Sequence, residues 1–306
     1  ASLWRWPSFA DELSAAAGLP SVLNRAGTLV VGVDSADRTE RATLADYLTG
    51  LGRTVHQRSA RELRRLEPSL GPQVRAGLEV PGDLAVDNRT ALAALREAAS
   101  RAGVRFVLEN AATVRPGKVE LAESALDCDV AVIAAGSRSG ALHPALHGRI
   151  RPVKGEILRL RTRPTALPPP TRTVRGPVHG RPVYLVPRPD GVVVGATQYE
   201  AGFDTEVTVA GVRDLIADAE RLVPGIGEYE LTEAIAGLRP GTEDNLPLLG
   251  AVEPGVLVAT GHHRNGFLLA PITADAVLAM LRGEAPPAEA VAADPGRVEG
   301  GKKCTS

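Results

Sequence analysis

Two arginines and one tyrosine stand in this 306-residue chain at positions where such side chains can bind an anion. Arg239 ends the apolar stretch AIAGL, Arg264 lies within ATGHHRNGFLLAPITA, and Tyr184 begins the otherwise aliphatic YLVP. An arginine at the end of a strand can bind a carboxylate through two parallel hydrogen bonds, a geometry that lysine cannot reproduce. The pattern indicates a carboxylate site. Two alternatives are a surface salt bridge from Arg239 to Glu243 or Asp244, and a core tyrosine whose hydroxyl reaches solvent.

The signatures of several other enzyme classes are absent from the sequence. It contains no HExxH, no Cys-x-x-Cys, no P-loop and no complete G-x-G-x-x-G. The segment GSRSG resembles a nucleophile elbow, but Arg138 occupies the place of the serine, so the serine hydrolase interpretation fails. His262 and His263 are adjacent and cannot easily face one ion, so we expect a loop pair and no metal site.

Composition narrows the possible partners. The formal charge of −1 gives no reason to expect nucleic acid or an acidic membrane as a partner. No apolar run reaches the roughly 18 residues that span a bilayer, and the first residues lack the form of a signal peptide. Cys128 and Cys304 are too few for a disulfide framework, which favours a cytoplasmic location.

The positioning elements alternate between helix and strand patterns, which predicts an α/β or α+β fold. Residues 63–72 are predicted to be a loop, because Pro68 and Pro72 interrupt them. The pattern predicts helices over 1–17, 39–52, 87–103 and 212–223, and strands over 27–33, 104–110, 153–161, 181–197 and 229–241. The last three strands have an antiparallel style, and Pro-Asp-Gly folds the middle one into a hairpin.

Two further buried strands end on glycine. DVAVIAAG ends in Ala135-Gly136, and VLVATG ends in Thr260-Gly261. A glycine at this place lets a ligand approach the backbone at the carboxyl end of a sheet, although each glycine could equally make a tight turn.

Long motifs in the expected order resemble one family. HGRPVYLVPRPDGVVVGAT, AGLRPGTEDNLPLLG and ATGHHRNGFLLAPITA, together with RPVKGEILRL and LEPSL, are similar to glycine oxidases of the thiamine pathway. These belong to the FAD-dependent D-amino-acid oxidase superfamily, and the resemblance covers about residues 1–285. It implies FAD as cofactor and the oxidative deamination of glycine, sarcosine or small D-amino acids, with O₂ reduced to H₂O₂.

The resemblance also implies roles for particular residues. Arg239 pairs with the substrate carboxylate, Arg264 contributes at the same site, Tyr184 holds the substrate from the other side, and Gln198 lies near it. The cofactor-binding residues that it implies are Ala135, Gly136, Gly261, His262, His263, Arg264, Asn265, Gly266, Phe267 and Leu268. The helix that begins near Phe267 directs its positive end toward the flavin ring.

The sequence departs from the family pattern in two respects. The family begins with a strand, a G-x-G-x-x-G turn and a helix, which hold the pyrophosphate of FAD, and this chain resembles the family from the next helix onward. We therefore expect a Rossmann-like FAD domain without its first βαβ unit, weak FAD binding, and a fragment, a mis-called start or a split gene. Gln198 stands where a relative carries an apolar side chain, and Pro182 offers no polar group, so the preferred amine stays open.

Two other functions compete with the oxidase. A non-catalytic or trans-complemented fragment would fit the incomplete cofactor domain, and an NAD-linked dehydrogenase rests only on the α/β pattern. The oxidase could also be a homo-oligomer. We predict that a cofactor domain is interleaved with a mixed or antiparallel-sheet substrate domain, followed by a flexible tail. The cofactor domain comprises 1–17, 80–150 and 242–285, the substrate domain comprises 18–79 and 151–241, and the tail is 286–306.

Overall fold

The protein is described from a computed structural model that covers residues 1–33 and 37–298. The α-helices are α1 Ser2–Ala17, α2 Asp37–Gly50, α3 Ala60–Leu66, α4 Asn88–Arg101, α5 Val209–Leu222 and α6 Gly266–Leu281. The strands are β1 Leu23–Asn24, β2 Thr28–Gly32, β3 His56–Ser59, β4 Ala76–Val80, β5 Ala85–Val86, β6 Ala111–Arg115, β7 Lys118–Leu121, β8 Ala125–Asp127, β9 Ala131–Ile133, β10 Arg151–Arg161, β11 Thr173–Val178, β12 Arg181–Arg188, β13 Gly191–Gly195, β14 Glu230–Gly241, β15 Leu248–Glu253 and β16 Val256–Thr260.

The largest sheet has eight strands in the order β14-β10-β13-β12-β11-β2-β4-β3. All neighbours are antiparallel except β2 and β11. Its apolar side packs against α5, which Thr208 caps by accepting a hydrogen bond from the Gly211 N–H. The residues that alternate with this core point to the other side of the sheet. There α2 packs against Val30, Leu78 and Val80 of β2 and β4.

A second layer contains parallel strands and three helices. β9 pairs in parallel with β16, and β16 pairs with β15. α1 packs against α4 and α6, and its buried residues Trp6, Ala10, Leu13 and Ala17 share one helical face. Asp87 caps α4 by accepting hydrogen bonds from the N–H groups of Arg89 and Thr90.

Three sequence predictions about local structure were wrong. Residues 104–110 form no strand, and β6 begins only at Ala111. The predicted loop 63–72 begins inside α3, because Ser59 and Glu62 form a capping box that starts a helix before Pro68. The predicted tail contains two short 3-10 helices, Ala288–Ala293 and Pro295–Val298.

The first of these 3-10 helices buries Ala290 and Ala293 against Leu249 and Ala276. Apolar burial therefore orders this part of the tail. Residues 299–306, including Cys304, lie outside the described residues. The division into two domains stays a prediction.

One stretch, His263–Leu281, is long and apolar enough to cross a membrane by length and composition, with a mean hydropathy of 1.2. It includes α6, which carries Asp275 within hydrogen-bond distance of Arg5 on α1. The stretch is not a continuous apolar run, because His263 and Arg264 stand at its start and Asp275 in its middle.

Candidate active site

Arg239 lies near the end of β14, and its guanidinium extends across the neighbouring strand β10. Its Nη1 donates to the backbone carbonyls of Lys154 and Thr197, at 3.4 and 3.2 Å. Among the described residues no carboxylate lies within ion-pairing distance of Arg239, and Asp244 pairs instead with Arg297. Burial lowers the pKa of Arg239, and the charge of Arg264 lowers it further. The alternative of a surface salt bridge from Arg239 to Glu243 or Asp244 is therefore wrong.

Tyr184 stands in the middle of β12, where it pairs in register with Gly195 of β13. Burial raises the pKa of the phenol, with Arg239 and Arg188 acting in the opposite direction. The phenol therefore stays protonated at neutral pH. Its hydroxyl has no hydrogen-bond partner in the described part of the chain, so it is free to donate to a ligand.

Arg264 belongs to the polar loop between β16 and α6, in the 3-10 turn His263–Asn265. Its side chain is exposed and makes no ion pair with any residue that the structure describes. The pKa of neighbouring His263 is lowered by burial, and further by Arg239, Arg264 and Arg151. The fold thus brings Arg239, His263 and Arg264 within electrostatic range of one another, although Arg239 is distant from the other two in the sequence.

Tyr184 and Arg264 line one cavity of about 450 Å³ on the side of the large sheet opposite α5. Arg175, Arg188 and Phe267 also line it. Gln198 instead lines another cavity of about 250 Å³, beside Pro182 and Ala196. The fold therefore brings Tyr184 and Arg264 together and separates Gln198 from them.

The ends of the two parallel strands are tied together. Thr260 Oγ1 donates to the Gly136 carbonyl at 3.0 Å, and Ser139 Oγ donates to Thr260 Oγ1 at 3.1 Å. Gly136 and Gly261 both have positive φ, 56° and 80°. A side chain at Gly261 would collide with Thr242, so a glycine is needed there.

The start of α6 has no side-chain cap and is held by α1. Asn265 precedes the helix without making a side-chain cap, so no side chain caps the N–H groups of the first turn. Pro271 has no N–H to donate to the Phe267 carbonyl, and Trp6 Nε1 donates to it instead at 3.0 Å. Ala135 precedes its 3-10 helix, also without a side-chain cap.

Sequence reasoning missed several residues around this site. Lys154 and Glu156 are buried in β10 beside the carbonyl that Arg239 contacts. Arg188 lines the cavity and donates to the Val86 carbonyl at 3.3 Å. Two charged residues around a glycine in an otherwise apolar strand pattern, VKGEIL, were the available indication for the first two.

Comparison with known proteins yields one family. The model of the family described as FAD dependent oxidoreductase matches residues 3–280. The glycine oxidase of Geobacillus kaustophilus is 30% identical over 278 residues, which are 87% of this chain and 72% of that protein. Its crystal structure superposes with a TM-score of 0.87 at 28% identity, covering 97% of this chain and 81% of the other.

Two further relatives differ in length. The bifunctional protein ThiO/ThiG of Synechocystis sp. is 34% identical over 283 residues, which are 90% of this chain but 40% of that protein. The putative thiamine biosynthesis oxidoreductase ThiO of Rhizobium etli is 34% identical over 271 residues, covering 87% of this chain and 74% of the relative. The chain therefore spans less than half of the bifunctional relative.

Proposed function

The chain belongs to the family of FAD-dependent oxidoreductases, and from this premise we propose that it oxidises a small amino acid at the carbon bearing the amine. Glycine, sarcosine and small D-amino acids are the proposed substrates, and O₂ is the proposed electron acceptor. The observation that carries the proposal is Arg239, a half-buried arginine without a carboxylate partner among the described residues, near a second such arginine and a free phenol.

The residues present fit the ring end of FAD. A flavin ring is flat, so it needs open space beside the backbone. Its carbonyl oxygens accept hydrogen bonds, so it also needs N–H donors. The uncapped start of α6 supplies such donors, and Gly136 leaves open space where a side chain would otherwise stand. We propose that Ala135, Gly136 and the segment from Gly261 to Leu268 hold this ring. The positive end of the α6 dipole would favour negative charge there.

When bound, FAD would supply the redox chemistry, accepting a hydride from the α-carbon and returning two electrons, with two protons, to O₂ as H₂O₂. The resulting imine would hydrolyse in water to the 2-oxo acid. The nitrogen would leave as ammonia, or as the corresponding amine when the substrate nitrogen is alkylated. The protein's own contribution would be orientation and electrostatics. Asp83 lines the same cavity but is already ion-paired with Arg53 at 2.9 Å.

Arg239 would bind the substrate carboxylate through its guanidinium, and Arg264 would add a second positive charge. The Tyr184 hydroxyl would donate to the same carboxylate, because burial keeps the phenol protonated. His263 would stay neutral near two arginines and add no competing positive charge. These roles make the carboxylate the recognised group and leave the amine end free to face the ring.

The place of this reaction in metabolism is also a proposal. Two relatives carry the name ThiO, and one of them is named as a thiamine biosynthesis oxidoreductase. We propose that the imine or oxo product feeds synthesis of the thiamine thiazole. A cytoplasmic location and a homo-oligomeric state stay predictions.

The decisive experiment measures peroxide release by the purified chain supplied with excess FAD. Glycine, sarcosine and D-alanine should give H₂O₂ and the matching oxo acid. Glycine methyl ester, which keeps the amine and lacks the carboxylate, should react far more slowly. Absence of peroxide with all three amines would contradict the oxidase, and equal turnover of the ester would contradict carboxylate recognition.

A further inference from the structure

The tripeptide Lys154-Gly155-Glu156 lies in β10, directly beside the guanidinium of Arg239. Gly155 pairs in register with Gly237 of β14, so Arg239 projects from two positions further along the neighbouring strand. A Cβ atom at Gly155 would lie closer than 3.0 Å to three atoms of the Arg239 guanidinium, a separation that real Cβ atoms do not show. The glycine thus leaves a groove in the sheet in which the planar group lies.

The side chains on either side of Gly155 point to the opposite face of the sheet, because side chains alternate along a strand. Lys154 is 1% exposed, and its Nζ donates to Asp204 Oδ2 at 2.5 Å and to the Glu206 carbonyl. Lys154 also exchanges two backbone hydrogen bonds with Tyr199, both of 2.9 Å. Lys154 therefore holds two points of the segment 199–206 against β10.

Glu156 is fully buried and binds the residues that flank the segment 199–206, namely Thr197 and Thr208. Its carboxylate accepts hydrogen bonds from the Thr208 N–H at 2.8 Å and from the Thr197 hydroxyl at 3.2 Å. Its own N–H donates to Thr197 Oγ1 at 2.9 Å. Thr197 is in turn the residue whose backbone carbonyl accepts from Arg239 at 3.2 Å.

We infer that Lys154-Gly155-Glu156 is the positioning device of Arg239, and hence of the substrate carboxylate. Gly155 provides the groove for the guanidinium. Glu156 fixes Thr197, whose carbonyl accepts from the guanidinium, and Lys154 holds the adjoining segment 199–206 in place. The inference rests on the proposed function for the identity of the bound carboxylate. The position of the guanidinium itself can be tested without turnover.

A fixed guanidinium costs less to order when the ligand arrives, because its side-chain freedom is already lost in the free protein. Buried arginine needs such fixing, since a guanidinium that swings away would leave its partner carboxylate misaligned. A residue that acts in this way should change binding of the carboxylate more than the chemical step.

The first test is Gly155→Ala, with Gly191→Ala as the matched control. Gly191 lies in β13 of the same sheet, and a Cβ atom there would meet the Leu160 carbonyl and not an active-site group. We expect Gly155→Ala to raise KM for glycine by tenfold or more with a smaller change in kcat. Gly191→Ala should lower Tm while KM stays within about twofold. Unchanged KM in a folded Gly155→Ala protein would overturn the inference.

A double-mutant cycle separates positioning from general damage. Lysine has no planar fork to displace, so in an Arg239→Lys background Gly155→Ala should change KM much less than it does in the wild-type chain. Equal effects in both backgrounds would show that Gly155 acts on the fold and not through Arg239.

The second variant is Thr197→Val, which keeps the shape and removes the two hydrogen bonds to Glu156. Its control is Thr232→Val, which removes a hydrogen bond from the exposed Thr232 hydroxyl to the Arg159 carbonyl on β10. Calorimetric titration with glycolate, which carries the carboxylate without the amine, should show weaker binding in Thr197→Val and wild-type binding in Thr232→Val. This readout needs no turnover, so it separates failure of the inference from failure of the proposed oxidase. Wild-type glycolate binding by Thr197→Val would count against the inference.

Discussion

Arg239 and Arg264 stand without carboxylate partners in the described part of the chain, and we propose that they bind the carboxylate of the substrate. A charged group loses much of its hydration on burial, so a half-buried arginine is stable only with acceptors nearby. Two backbone carbonyls, of Lys154 and Thr197, accept hydrogen bonds from Nη1 of Arg239. The remaining donors of the guanidinium are the ones that a ligand carboxylate would satisfy.

Replacing Arg239 by lysine tests this role. Lysine keeps the charge but loses the bidentate fork, so kcat/KM for glycine should fall more than tenfold, about 1.4 kcal/mol or more. The flavin content should not change. The control is Arg161→Lys, since Arg161 forms an exposed pair with Glu230 on the same sheet. Wild-type kinetics in Arg239→Lys would refute the role.

His262 makes stability depend on pH. Burial lowers the pKa of His262 below its ordinary value of 6.5, so the unfolded chain binds a proton more readily than the folded one. The contribution of His262 is therefore intact above about pH 6.5 and is lost as the pH falls through the lowered pKa. His263 has a lowered pKa too and acts in the same direction.

Urea unfolding between pH 5 and pH 8 measures this effect. The wild-type free energy of unfolding should fall below pH 6.5, and His262→Gln should show a shallower fall. The amide of glutamine can still contact Thr273 Oγ1, which His262 Nε2 meets at 3.0 Å. His56→Gln, at an exposed position, is the control and should follow the wild-type curve. A parallel curve for His262→Gln would contradict the assignment.

The 3-10 helices of residues 288–298 are tied to the loop after β14. Arg297 donates to both carboxylate oxygens of Asp244, at 2.8 and 3.1 Å. These hydrogen bonds hold the pKa of Asp244 well below its usual range. The pair therefore contributes stability above the ordinary pKa of aspartate and loses it as the pH falls.

Arg297→Ala should lower the free energy of unfolding at pH 7 by about 0.5 to 1 kcal/mol, because Asp244 is partly exposed and solvent screens the pair. The difference should shrink toward pH 3, where the carboxylate begins to protonate in the unfolded chain. Arg213→Ala, which removes an exposed pair with adjacent Asp214, should change stability little. An effect of Arg297→Ala that is equal at both pH values would exclude the ion pair as its cause.

The affinity for flavin is a property of the whole molecule, because the proposed ring site combines residues that follow β9 and β16 with the start of α6. We propose that the loop before α6 and Gly136 hold the ring end of FAD, and the 306 residues contain no G-x-G-x-x-G for the pyrophosphate. FAD and lumiflavin, which lacks the ribityl phosphate and adenosine, should therefore bind this chain with Kd values within about tenfold, or about 1.4 kcal/mol. Quenching of flavin fluorescence measures both constants. Binding of FAD more than a hundredfold tighter would show that these residues also hold the adenosine half.

Much of the architecture was predictable from local pattern. The helices around residues 88–101 and 209–222 carry their own caps and apolar stripes, so neighbouring residues in the sequence determine them. The hairpin over Pro-Asp-Gly is equally local. The strand predicted at 104–110 is absent, and these residues are all exposed. The loop predicted at 63–72 was wrong because a local capping box starts α3, whereas order in the tail comes from apolar contacts with residues distant in the sequence.

The sequence by itself determined the family, the types of the site residues and the order of the strands that carry them, because motifs and periodicity are local properties. Only the tertiary structure decided that the Arg239 guanidinium crosses β10 in the groove at Gly155, that Arg264 comes near it, and that Gln198 lines a different cavity. The physical reason is that strand register and close packing select these contacts, and both arise from pairings between residues far apart along the chain.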